Sequence, residues 1–306
     1  MSRAAVVIGW ALALAACSVC SSGTAHAQAS PTLRKIREAG VITLGYREAS
    51  VPFSYLGDGP QPVGYSMAIC DRIVDAVKVR LGLRDLERRY VPVTTATRMP
   101  LVANGTVDLE CGVTTNTAER RKQVDFTLTT FIASSRLVSR KTAPVRRLDD
   151  LRSTIVTSTM GTTSLQHLQA LRAQGSLRLT ILVAKDDASA FNMVETGQAA
   201  AYAMDDVLLS GSIATSRRPS DYVISEEALS LEPYGIMLRK GDAEFKQLAD
   251  HTIAGLYASG EIHRIYRQWF ESPIPPRGVN LRLAMHPAMR RVVERPTDSS
   301  EAADYR

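Results

Sequence analysis

Short apolar runs alternate with stretches of helical periodicity along most of the chain. Residues 33–40 read as a short helix closed by Gly40, followed by a buried strand, Val41-Ile42-Thr43-Leu44-Gly45-Tyr46. Residues 47–54 are expected to be a loop holding Pro52 and Phe53. Over 64–83, Ile69, Ile73, Val77 and Leu81 recur at turn spacing until Gly82 stops the helix. A strand over 86–93 and a helix over 98–104, ended by Gly105, come next. The run Val107 to Cys111 then reads as a short buried strand, and Gly112 as a turn.

A second cycle follows Phe131. The pattern predicts a long strand over 132–140, a short helix over 146–151 and a strand over 154–159. Gly161-Thr162-Thr163-Ser164 opens a helix over 165–174. A strand over 178–184, a helix over 187–196 closed by Gly197, and a strand over 200–204 ending at Asp205-Asp206 complete the cycle. A helix from 207, a strand over 233–238 and an amphipathic helix pair over 243–270 bring the chain back. Strand and helix in alternation point to an α/β architecture with helices on the faces of parallel sheets.

The strands near 132–140 and 234–238 are the natural crossings between two lobes. The expected organisation is a leader over 1–27, the first part of lobe 1 over 28–135, lobe 2 over 136–234 and a return to lobe 1 over 235–275. Residues 276–306 are expected to wrap the surface and then fray as a flexible tail. Ligands in open α/β sheets sit at the carboxyl ends of strands. The loops at 45–54, 94–98, 112–120, 160–164, 185–189 and 205–206 therefore converge on one interlobe cleft.

Composition changes this picture little. The chain has 306 residues, 45% hydrophobic and 22% charged, with a formal charge of +6. Basic and acidic residues are interspersed and aromatics are only 6%, which speaks against a nucleic-acid groove. The first residues matter more. Arg3, the apolar run from Ala4 to Ala16 and Ala25-His26-Ala27 read as an export signal cleaved before Gln28. Leu14-Ala15-Ala16-Cys17 resembles a lipobox and offers lipidation at Cys17 as the alternative route. Either route exports the protein. Cys70 and Cys111 remain in the mature chain; a bridge between them is geometrically conceivable, but two buried free thiols are the simpler expectation. No metal-site spacing is present.

The candidate chemistry centres on Thr115-Asn116-Thr117-Ala118-Glu119-Arg120. A hydroxyl in the glycine turn and an arginine five residues on can both face the mouth of the preceding strand, a geometry suited to a carboxylate. Gly45-Tyr46-Arg47-Glu48, Arg98 with Asn104 to Asp108, the 115–127 stretch, Met160 to Ser164, Met204-Asp205-Asp206 and Tyr234-Gly235-Ile236 occur in an order similar to that of periplasmic amino-acid-binding proteins. The resemblance covers residues 32–290 and is closest to the glutamate/aspartate subgroup of extracellular solute-binding family 3.

It implies a two-lobed periplasmic-binding-protein fold of type II with the ligand in the interlobe cleft. Thr115 and Arg120 then resemble an α-carboxylate clamp, to which Thr162 and Thr163 add hydroxyls and N–H groups at a helix N-terminus. Asp205 resembles the partner of the α-ammonium. Arg47, Thr95 and Arg98 resemble the pocket for a side-chain carboxylate. Each has a plainer alternative: Arg120 as a solvated helix face, Asp205, Thr162 and Thr163 as helix caps, Arg47 in a surface pair with Glu48 or Asp58, and Phe53 and Tyr55 as packing.

Two positions depart from the subgroup. Val113 stands where it has a serine, and Asp187 stands where it has a histidine beside the ligand side chain. A carboxylate at 187 repels an acidic ligand unless Arg47 or Arg98 neutralises it or it turns away. The implied role is the substrate-binding component of an ABC importer for acidic or related polar amino acids. The free amino acid and an inner-membrane permease are its expected partners, and it needs no cofactor or catalytic step. A periplasmic monomer is expected. The competing readings are an exported dehydratase of a cyclic amino-acid precursor and a sensory amino-acid-binding module.

Overall fold

Two sheets, joined by strands that run side by side between them, carry the chain in a computed structural model that describes residues 30–175 and 177–305. The leader, its cleavage site and Cys17 lie outside the described residues. Helix α1 (Pro31–Ala39) starts where the Ser30 hydroxyl accepts from Leu33 N at 3.0 Å and ends at Gly40, whose φ of 66° lies in the left-handed region that glycine adopts without strain. Strand β1 (Val41–Tyr46) follows. The expected loop at 47–54 instead holds parts of a small antiparallel sheet, β2 (Ala49–Ser50), β3 (Ser54–Leu56) and β4 (Pro62–Val63). Strands of two or three residues are too short to leave a periodic signal.

Helix α2 (Tyr65–Leu81), β5 (Glu87–Pro92), α3 (Arg98–Ala103), β6 (Leu109–Glu110) and β7 (Val124–Phe126) complete the first half of lobe 1. The long strand β8 (Phe131–Arg140) then crosses into lobe 2. There β9 (Ile155–Thr159), α4 (Thr163–Ala173), β10 (Thr180–Ala184), α5 (Asp187–Glu195), β11 (Ala201–Asp205), α6 (Asp206–Thr215) and β12 (Tyr222–Ile224) follow in order. The expected helix at 146–151 is a single tight turn, Leu148–Leu151. Strand β13 (Ser230–Tyr234) returns along β8, with Tyr234 opposite Phe131. The single strand expected over 233–238 is in fact two, because Gly235 and Ile236 turn the chain from β13 into β14 (Met237–Arg239) of the first sheet.

The first sheet has the order β5-β1-β6-β14-β7; the second runs β10-β9-β11-β8-β12, with β13 also on β8. Within each, β1 is parallel to β5 and β6, and β9 is parallel to β10 and β11. The carboxyl ends of these parallel strands supply the loops that face the cleft. Helices α7 (Ala243–Ala258) and α8 (Glu261–Tyr266) pack back onto α2.

An aromatic cluster holds the root of the crossing strands. Phe53 meets Phe131 edge-on at 4.8 Å, and Phe131 stacks on Phe270 at 5.1 Å, with Tyr65, Tyr234 and Tyr266 around them. Such pairs add about 0.5–1.5 kcal/mol each beyond the area they bury. Phe53 and Tyr55 are therefore packing residues, Tyr55 lying edge-on to Trp269.

Two expectations are corrected. Cys70 on α2 and Cys111 just after β6 form a disulfide, Cα to Cα 6.2 Å, and are not free thiols. Both are fully buried where α2 lies across the first sheet, so the two side chains meet. The C-terminal segment does not fray as far as Tyr305. Helix α9 (Pro287–Glu294) packs on α7, and Tyr305 is buried, its hydroxyl 2.7 Å from Thr129 Oγ1.

Candidate ligand-binding site

One small cavity lies where the carboxyl ends of the two sheets face each other. Its wall contains all nine residues that the sequence singled out: Arg47, Thr95, Arg98, Thr115, Arg120, Thr162, Thr163, Asp187 and Asp205. Val113, Met204 and Leu208 supply its apolar surface. Arg47 follows β1, Thr95 and Arg98 stand at the start of α3, and Thr115 and Arg120 follow β6. From the other lobe come Thr162 and Thr163 at the head of α4, Asp187 at the head of α5 and Asp205 at the end of β11. The cavity holds about 20 Å³. One water needs roughly 10–15 Å³, so an amino acid enters only when the lobes part.

Arg120 is not a solvated helix face. It is buried in a single tight turn, donating from Nη1 to Thr115 O at 2.8 Å and from Nη2 across the cleft to Gly161 O at 3.1 Å. Burial pushes its guanidinium pKa down, against the pull of Glu232 and Asp205. Arg98 donates from Nη1 to Val113 O at 3.3 Å and leaves Nε without a partner. Burial, with Arg120 beside it, pushes Arg98 down to about 9, which still leaves it charged at neutral pH. Arg47 forms no surface pair with Glu48 or Asp58; it is buried, Nη2 lies 4.0 Å from Asp187 Oδ2, and Nη1 has no partner.

Asp187 is held from behind. Its Oδ1 accepts from Thr159 Oγ1 at 2.7 Å and from Tyr202 Oη at 3.2 Å, while Oδ2 faces Arg47. Asp205 makes no capping bond to α6, so the plainer reading of that residue fails. Its Oδ2 accepts from Tyr234 Oη, and its fully buried Oδ1 has no partner. Burial, with Glu232 nearby, raises the Asp205 pKa well above the ordinary carboxylate range.

The two threonines of α4 are placed differently from the expectation. The Thr162 hydroxyl accepts from Leu165 N at 3.2 Å and donates to Thr159 O at 2.7 Å, so it caps the helix. The Thr163 hydroxyl donates to Glu232 Oε2 at 2.7 Å. What they leave for a ligand is the unbonded N–H groups of the first helical turn.

Glu232 is thus a residue that sequence reasoning missed. Burial alone would raise its pKa, but the polar side chains around it, His167, Ser230, Thr163 and Thr115, outweigh this and lower it. The available signal was alternation: Glu232 and Tyr234 share one face of a strand, and Tyr234 is the residue bonded to Asp205.

The family model for bacterial extracellular solute-binding proteins, family 3, matches residues 42–272. The chain is 48% identical over 270 residues to the L-glutamate/L-aspartate-binding protein of Pseudomonas aeruginosa, covering 88% of this chain and 89% of that one. It is 40% identical over 290 residues to the glutamate/aspartate import solute-binding protein of Escherichia coli, covering 95% and 96%. Among solved structures, an ancestral arginine-binding protein bound to glutamine superposes with a TM-score of 0.66 at 26% identity, over 76% of this chain and 98% of that one.

Proposed function

The chain belongs to family 3 of the bacterial extracellular solute-binding proteins, and we propose that it is the substrate-binding component of an ABC importer that takes glutamate or aspartate. The observation that carries the ligand class is the set of buried atoms left without partners at the cavity: Arg47 Nη1, Arg98 Nε and Asp205 Oδ1. The two unmatched cationic donors suit one side-chain carboxylate and the unmatched carboxylate oxygen suits an ammonium, while Arg120 and the head of α4 remain for an α-carboxylate. The α-carboxylate meets Arg120 and the head of α4, the ammonium meets Asp205, and the side-chain carboxylate meets Arg47, Thr95 and Arg98. The relatives named for glutamate and aspartate support the same choice.

Asp187 opposes it only weakly. Thr159, Tyr202 and Arg47 already engage both of its oxygens. The ligand stabilises the closed lobes through contacts that the open state lacks. Export through the leader to the periplasm, a monomeric state and delivery to an inner-membrane permease complete the reading. No catalytic step is part of it; relatives at 40–48% identity are named as binding proteins. Isothermal titration of the chain from Gln28 onward against a panel of amino acids tests the proposal. Heat is expected with glutamate and aspartate, and a flat trace with both overturns the ligand assignment.

A further inference from the structure

The last residues of the chain lie against the back of the loop that carries Thr115 and Arg120. Side chains along this loop divide between two faces. Thr115 and Arg120 line the cavity, whereas their neighbours Asn116 and Arg121 bond the C-terminal segment. Asn116 Nδ2 donates to Asp298 O at 2.8 Å and to Ser299 O at 3.4 Å. Arg121 Nε donates to Asn116 Oδ1 at 2.8 Å, and its Nη2 bonds Asp298 O and lies 3.1 Å from Asp298 Oδ2. Lys246 Nζ reaches the same Oδ2 at 3.0 Å.

The segment is itself tied down. Thr129 N donates to Thr297 O at 2.8 Å. Tyr305 Oη donates to Ser299 O at 2.7 Å and accepts from Thr129 Oγ1 at 2.7 Å, and Arg291 Nη2 donates to Tyr305 O at 2.8 Å. Thr129 sits two residues before the crossing strand β8. The segment therefore touches both the loop that faces the ligand and the chain that enters the hinge.

Residues 115–119 form no regular element, so side-chain and isolated backbone bonds have to set their shape. Asn116 is 1% exposed. Without Asp298 O and Ser299 O its amide would be a buried donor with no acceptor, a state that proteins avoid. A turn of Asn116 or Arg121 away from the segment moves the backbone on which Thr115 and Arg120 are mounted. Holding a binding loop in its bound shape before the ligand arrives raises affinity by removing an ordering cost.

We propose that residues 297–305 are a strap that sets the shape of this loop, with Asp298 a positioning residue that acts on Arg120 and Thr115 through Arg121 and Asn116. The binding part of this proposal rests on the amino-acid reading above; the strap itself does not. The test uses the chain from Gln28 in three forms: native, Asp298→Ala and Asp298→Glu, with a truncation after Arg295 as a fourth. Hydrogen exchange of the unliganded proteins is read first. The amides of 115–123 should exchange roughly tenfold faster in Asp298→Ala, with those of β9, β10 and β11 unchanged.

Glutamate affinity is read second, well below the unfolding temperature. It should weaken about fivefold in Asp298→Ala and further in the truncated chain, and recover in Asp298→Glu. Asp298→Ala leaves the main-chain carbonyls that Asn116 bonds, so unchanged exchange at 115–123 in that variant overturns the role of the Asp298 side chain, and unchanged exchange in the truncated chain overturns the strap. Faster exchange with unchanged affinity overturns the positioning role, since a merely structural contact lowers the melting temperature and leaves Kd alone. If the native chain takes no glutamate while exchange responds as stated, the ligand assignment falls and the strap stands. If the truncated chain fails to fold, Asn116→Ala, which removes the amide that bonds both carbonyls, decides in its place.

Discussion

Replacing Asp205 by Asn should weaken ligand binding and strengthen the unliganded fold, two effects of opposite sign from one buried group. Asp205 Oδ2 accepts from Tyr234 Oη and Oδ1 has no partner, so in the free protein this carboxyl is only half satisfied. Burial raises its pKa well above the ordinary carboxylate range. A carboxyl whose folded pKa is raised contributes stability that is full below its unfolded pKa and is lost as pH rises through the folded value. At neutral pH the charge is a burden on the empty protein. Asparagine keeps the acceptor for Tyr234 and removes the charge, so the melting temperature of the unliganded variant should rise.

Binding responds in the other direction. An α-ammonium needs the anion, and removing one partner of a buried charge pair costs about 2–5 kcal/mol. At 1.4 kcal/mol per decade this is roughly 30-fold to several-thousand-fold in Kd. In the native protein, affinity should fall as pH drops through the raised Asp205 pKa; in the variant this dependence should vanish. Titration calorimetry across pH, with thermal unfolding of the empty proteins, measures all three quantities. A variant that binds glutamate within about threefold of the native chain, or melts lower when empty, would refute the reasoning.

Further predictions follow from the same geometry. A Cβ added at Gly211 on α6 would lie 2.6 Å from the Val51 carbonyl oxygen of the opposite lobe, a backbone atom that yields only if the lobes move apart. Gly211→Ala should therefore cost the closed state about 1–3 kcal/mol, five- to hundredfold in Kd, while the empty protein melts no lower because alanine favours the helix. An unchanged affinity would show that Val51 and Gly211 do not meet on closure. Asp187→Asn keeps the acceptor for Thr159 and Tyr202 but removes a partly exposed anion beside Arg47. Glutamate should bind about two- to fivefold tighter, with glutamine unaffected, and weaker glutamate binding would mean that Asp187 orients Arg47 productively. Removing the Cys70–Cys111 bridge, which spans 41 residues, by paired alanines should lower unfolding stability by about 4 kcal/mol. Denaturant titration reads this loss, and none would imply that the bridge is open in solution.

What the sequence revealed and what it hid divide along a physical line. Helices and strands of five residues or more announce themselves by period: Ile69, Ile73 and Val77 gave α2, and Gly40 and Gly82 marked helix ends that lie in the left-handed region. The loops that line the cavity were legible because most of them follow or open such an element, where chain direction fixes which way the loop faces; the nine residues within them were picked out by resemblance. Long-range partners leave no local trace. Nothing near Thr163 says that its hydroxyl meets Glu232, because the two are 69 residues apart and only the pairing of β13 with β8 brings Glu232 to the head of α4.

The disulfide was conceivable from the sequence but not fixed by it, since the spacing of Cys70 and Cys111 does not set how α2 lies on the first sheet. The C-terminal segment is the strongest case. Its polar composition resembles a solvated tail, yet Asp298 and Ser299 present backbone carbonyls, which every sequence possesses, to a buried Asn116. A segment that recognises its partner through main-chain atoms carries no composition signal for docking, so a polar terminus on its own is weak evidence of disorder.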